Sequence, residues 1–176
     1  MIRVKRVVKK DNTLKLFTDF NGALEYLIQH ISLIDPGPEC KIFTYGVYAG
    51  LYHKSDGTLS MNMKHPCFRF LEQCVRNNTQ VTIFIGRSSE LPDYETQQRI
   101  RDIRHVFGST IVCKEYTGHH KLLLLSDGWG YFGSCNFTGS SLGDLIIAGN
   151  LYEISSGITW DKTLSSLISG VASHKN

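Results

Sequence analysis

His119 and Lys121 stand two residues apart ahead of the apolar run Leu122-Leu123-Leu124-Leu125, and the group Gly133-Ser134-Cys135-Asn136 closes the next apolar segment. Side chains alternate from face to face along a strand, so His119 and Lys121 point the same way. One imidazole, one permanent cation and two neutral hydrogen-bonding side chains then become available together. Attack on a phosphodiester without a metal needs such a set: a nucleophile or proton carrier, a charge to hold the phosphate oxygens, and orienting donors.

These groups meet only if the chain folds back between them. Leu122 to Leu125 fits a strand buried on both faces, Asp127-Gly128 is a turn signal, and Tyr131 to Ser134 fits a return strand that brings Ser134 and Asn136 to His119 and Lys121. The whole stretch resembles the HKD motif of the phospholipase D superfamily, H-x-K-x4-D-x6-G-S-x-N, with His119, Lys121, Gly133, Ser134 and Asn136 at the required offsets. The motif's Asp position holds Ser126, with Asp127 one place late. In the superfamily that acid is a structural support, so the departure bears on local geometry more than on chemistry. Asn150-Leu151-Tyr152-Glu153-Ile154 is similar to the family's downstream N-x-E element, with one more residue between Asn150 and Glu153, which implies Glu153 as the carboxylate that orients an imidazole.

With 176 residues and 41% hydrophobic content, the chain can bury one sizeable core, and a single domain over 1–176 is the expectation. It holds no apolar run near the length of a membrane span, and its start lacks the apolar middle of a secretory signal. A cytoplasmic protein with no membrane partner is therefore expected. The five cysteines are odd in number and lack C-x-x-C pairing, which reads as free, mostly buried thiols. Residues 1–10 carry five of the 19 basic residues and none of the 16 acids, leaving 14 basic residues, 19 less five, against 16 acids elsewhere. Net charge is thus weak support for a nucleic-acid partner, and residues 1–10 read as an edge strand guarded by lysines or as an arm touching phosphates.

Periodicity sets the remaining elements. A short strand is expected at Leu14 to Phe17, and an amphipathic helix over 21–34 with Asn21 as candidate cap and Asp35-Pro36-Gly37-Pro38 as stop. Cys40 to Val47 reads as a buried strand ending in the loop Tyr45 to Gly50, followed by a polar loop through Ser60. A helix from His65-Pro66 to about Asn77, a strand at Val81 to Ile85, a helix over Asp93 to Phe107 and a strand at Thr110 to Tyr116 complete the approach to the motif. Arg99, Arg101 and Arg104 on the third helix read as a solvated face. Beyond Asn136, the Thr-, Ser- and Gly-rich segment Phe137 to Asp144, with Thr138, suits a turn or short helix whose amides face an anion. A strand at Asn150 to Ile154 and a last amphipathic helix from Thr159 to about His174 follow. Strands alternating with helices give an α/β fold with a mixed sheet flanked by helices on both faces, which agrees with the phospholipase D-like α-β-α sandwich that the resemblance implies.

Displacement at phosphorus is in line, so nucleophile and leaving-group acid lie on opposite sides of the phosphate, and one histidine cannot be both. Similarity to single-motif superfamily members implies two chains about a two-fold axis sharing one site. In that scheme His119 of one chain forms a phosphohistidine and His119 of the other serves as general acid and then base, near neutral pH. Lys121, Asn136 and Ser134 hold the phosphate, with Gly133, Thr138 and Tyr45 as candidates for contact with substrate. No metal or other cofactor is required. Lipid enzymes of the superfamily usually carry two motifs in a long chain, so this short single-motif chain reads as a nuclease acting on DNA or RNA, its targeting weak or supplied by a partner. The alternatives are a non-catalytic dimeric module binding nucleic acid or protein, or a phosphodiesterase acting on lipids or small nucleotides.

Overall fold

The computed structural model describes residues 14–33, 38–86, 94–116, 121–139 and 142–149. Residues 1–10, His119, His120, Asn150 to Ile154 with Glu153, and the predicted final helix lie outside them.

The apolar runs assemble into one seven-stranded mixed sheet. Its strands are β1 (Leu14–Asp19), β2 (Glu39–Thr44), β5 (Gln80–Gly86), β6 (Ile111–Tyr116), β7 (Leu122–Leu125), β8 (Gly130–Gly133) and β9 (Leu142–Ala148), in the order β1-β9-β8-β7-β2-β5-β6. Between β2 and β5 a separate hairpin forms from β3 (Leu51–His53) and β4 (Leu59–Met61). β2, β5 and β6 are parallel, linked by α2 (Pro66–Arg76) and α3 (Tyr94–Phe107), while β7, β8 and β9 run antiparallel to their neighbours.

Alternation sorts the sheet into two faces. Ile42, Val81, Ile83, Leu123, Leu125, Tyr131, Leu145 and Ile147 join the buried faces of α1 (Phe20–Leu33), α2 and α3 in one core. Phe43, Leu122, Leu124, Phe132 and Ala148 form a second cluster, with Phe84 stacked on Phe43 at 4.6 Å. All three described helices thus contribute to the first face. The tetraleucine run is buried along its whole length because it supplies both clusters alternately.

Three expectations need correction. The cap of α1 is Asp19, whose carboxylate accepts the Gly22 amide, and Asn21 lies inside the helix. The stretch through Ser60 contains the β3–β4 hairpin, turned by Asp56-Gly57 with Gly57 at φ +85°. The turn expected over Phe137 to Asp144 is shorter than that, because β9 already starts at Leu142 and its Leu145 and Ile147 fill the core between β1 and β8.

All five cysteines are free and buried, as expected. Near three of them the Tyr131 hydroxyl, fully enclosed, has no hydrogen-bond partner among the described residues, and burial beside the Cys67, Cys40 and Cys135 sulfurs pushes its pKa well up. Tyr131→Phe removes that unmet donor without changing the ring's packing. It is expected to raise the free energy of unfolding by about 1 kcal/mol, seen as a higher urea midpoint at unchanged slope. A lower midpoint would mean that the hydroxyl is paired.

Candidate active site

The carboxyl ends of β2, β5, β6 and β8 and the amino ends of β7 and β9 lie at the same end of the sheet, and Lys121, Gly133, Ser134 and Asn136 sit there. Phe43 pairs with Leu122, and the Gly133 amide donates to the Lys121 carbonyl at 3.1 Å. This register sets Lys121 between Thr44 and Gly133. By alternation Lys121 shares the helix-covered face with Leu123 and Leu125, and the half-buried lysine acts electrostatically on Cys135, lowering a thiol pKa that burial raises.

Asn136 is held by the loop after β2. Its Oδ1 accepts the Tyr45 amide at 2.9 Å and the Gly46 amide at 3.3 Å, with Thr44 Oγ also 3.3 Å away. Backbone amides are obligate donors, so they fix which end of the carboxamide is oxygen. Nδ2 lies beside Gly46, 3.9 Å from where a Cβ would stand, and has no hydrogen-bond partner among the described residues. Thr44, almost fully buried, ties the same segments together: its Oγ accepts the Phe137 amide at 2.9 Å and donates to the Gly46 carbonyl at 2.5 Å. Sequence reasoning missed Thr44, for which the only signal is a hydroxyl ending an apolar strand.

Ser134 is exposed, its amide and hydroxyl both donating to the Asp144 carbonyl, at 3.0 and 3.4 Å. Tyr45, 39% exposed, stands on the loop that Asn136 holds, and the Thr138 methyl reaches Gly46. Lys121, Ser134, Asn136, Thr138 and Tyr45 are therefore brought to one end of the sheet, whereas His119 and Glu153 fall outside the described residues. Of the amides after Asn136 expected to face an anion, those of Phe137 and Thr138 are spent within the protein. The amides of Ser134, Phe137 and Thr138 donate to the Asp144 carbonyl, the Thr44 hydroxyl and the Asn136 carbonyl. Gly133 likewise spends its amide on Lys121 within the sheet.

Ser126 and Asp127 lie at the opposite end of β7, about 16 Å from Lys121 at about 3.3 Å per strand residue. Ser126 exchanges hydrogen bonds with Glu39, donating to its carbonyl through N–H at 3.0 Å and Oγ at 2.8 Å and accepting its amide at 2.9 Å. Asp127 accepts the Trp129 amide at 2.9 Å and meets His30 Nε2 at 2.7 Å, with the His30 ring 4.5 Å from Trp129. A serine and an aspartate together close this end of the hairpin onto β2 and α1, remote from the candidate chemistry. The arginines of α3 are structural in part, since Arg99 donates to the Val47 carbonyl and Arg104 to the Cys113 carbonyl. Among the described residues no three His, Cys, Asp or Glu side chains are grouped to hold a metal ion, and no helix is long and apolar enough to cross a membrane.

Neither a family model nor a curated protein matches the chain. Among solved structures it is similar to Nuc from Salmonella typhimurium, a phospholipase D family member, at 14% identity, covering 89% of this chain and 90% of that one with a TM-score of 0.51. The chain has a phospholipase D-like fold. A second likeness, to the archaeal chromatin protein TrmBL2, has 7% identity over 93% of this chain and 54% of that one, with a TM-score of 0.44. Within this fold, Lys121, Gly133, Ser134 and Asn136 lie on the hairpin β7–β8, at its start and in the turn beyond it.

Proposed function

We propose that the protein is a phosphodiesterase, and specifically a nuclease that works without a metal through a phosphohistidine on His119, at a site shared by two protomers. The observation that carries this reading is Asn136: its oxygen is committed to backbone amides of the β2 loop, which leaves the carboxamide nitrogen as an oriented donor on the same sheet end as Lys121 and Ser134. A fixed donor and a cation placed where charge develops stabilise a phosphoryl transition state without reorganising. The position of Ser126 supports catalysis over a decayed module, since the motif's changed acid lies at the far end of β7 and has found partners there. The two-protomer arrangement rests on the in-line geometry and the single motif.

The test is digestion of plasmid DNA, single-stranded DNA and RNA in excess EDTA, beside His119→Ala. Cleavage by wild type alone is expected, with a dimer in sedimentation at micromolar concentration. Equal cleavage by both proteins would remove His119 from the mechanism. A monomer that remains monomeric with nucleic acid present and still cleaves would remove the shared site.

A further inference from the structure

His65 lies outside the motif, and its contacts join the start of α2 to the loop after β2 and to the turn beyond Asn136. It is the residue before α2, where its Nδ1 accepts the Cys67 amide at 3.2 Å and so caps the helix. Two glycines at positive φ close on the same side chain. A Cβ on Gly50 (φ +76°) would stand 2.7 Å from His65 Cβ, and one on Gly139 (φ +79°) would stand 2.4 Å from Cε1 and 2.5 Å from Nε2. The Tyr48 ring meets the imidazole edge-on at 5.1 Å, with the Arg99 guanidinium 5.1 Å from that tyrosine's ring centre. On the Gly139 side the Thr138 carbonyl, two residues from Asn136, acts on the imidazole and favours its charged form.

These contacts fix the tautomer. Nδ1 faces an N–H and must be unprotonated, so in the neutral ring the nitrogen beside Gly139, Nε2, carries the proton, on the side of the Thr138–Gly139 turn. Burial favours this neutral form and holds the pKa below its ordinary 6.5, against the opposing pull of the Thr138 carbonyl.

We infer that neutral His65 is a positioning residue: it ties the start of α2 to the Thr138–Gly139 turn and thereby aims the Asn136 carboxamide. This rests on the reading of Asn136 as a phosphate donor, but its structural half does not. Two substitutions separate the roles. His65→Asn keeps an acceptor for the Cys67 amide, asparagine being among the best helix caps, but is too short to reach Thr138. His65→Gln reaches toward Thr138 with its amide while capping poorly.

His65→Asn is expected to melt close to wild type and to lose about 10- to 100-fold in kcat, with KM little changed. His65→Gln is expected to melt lower and to keep more activity. In nitrogen-15 spectra at neutral pH, wild-type His65 is expected as the Nε2–H tautomer, and the Asn136 side-chain amide signal is expected to move in His65→Asn. Full activity in His65→Asn, or parallel loss of melting temperature and activity in both variants, would overturn the inference. An Nδ1–H tautomer would overturn it too, whatever the activity. If wild type cleaves no substrate, the nuclease reading fails, and the tautomer with the Asn136 signal still decides whether His65 positions that side chain.

Discussion

Asn136→Asp is expected to lower cleavage by about 100- to 1000-fold, the usual cost of one preorganised donor, with the melting temperature near that of wild type. The carboxylate retains an oxygen for the Tyr45 and Gly46 amides, so the β2 loop stays anchored. At the other position an oxygen replaces Nδ2, and a negative charge then faces the phosphate. Asn136→Ala differs in kind. It leaves two amides without their acceptor and is expected to cost about 1 to 3 kcal/mol of stability in addition to activity. Cleavage in EDTA and thermal melting of the pair separate the two functions of this side chain. Wild-type activity in Asn136→Asp would show that Nδ2 does not meet the substrate.

What was legible in the sequence was local. The hairpin β7–β8 follows from a tetraleucine run, an Asp-Gly turn and alternating faces, all within about a dozen residues, and the helices follow from apolar spacing and a Pro or Gly stop. Contacts across long stretches of chain were not legible. The acceptor role of Asn136 depends on a loop about 90 positions away, and the packing of Gly139 on the His65 ring joins two segments with no common pattern. β9 was missed because Gly143 and Asp144 interrupt its start. Those two residues are tolerated because Gly143 makes room for the Ser134 hydroxyl, which a Cβ would approach to 2.4 Å, and Asp144 offers its carbonyl to Ser134. Ser126 departs from a motif that counts positions, whereas the hairpin end needs partners for Glu39, His30 and Trp129, and Ser126 with Asp127 supplies them.

Gly133→Ala is expected to cost about 3 kcal/mol or more, at the upper end for overpacking a core, and to remove cleavage as well. A Cβ there would stand 2.1 Å from the Asp144 carbonyl oxygen and 2.9 Å from the Leu145 Cα, both backbone atoms of β9. Neither can swing aside as a side-chain tip would, so β8 and β9 must part. The Asp144 carbonyl also accepts the Ser134 amide and hydroxyl, and the Gly133 amide pairs with Lys121, so parting the strands moves Ser134 and frees the chain that holds Asn136. Gly57→Ala is the control, at positive φ but with nothing within 4 Å of the added methyl. Its expected cost is about 1 to 2 kcal/mol from backbone conformation alone, with cleavage retained. Chemical denaturation of the two variants tests the packing argument directly, and equal losses would mean that β8 and β9 yield more easily than their backbone contact implies.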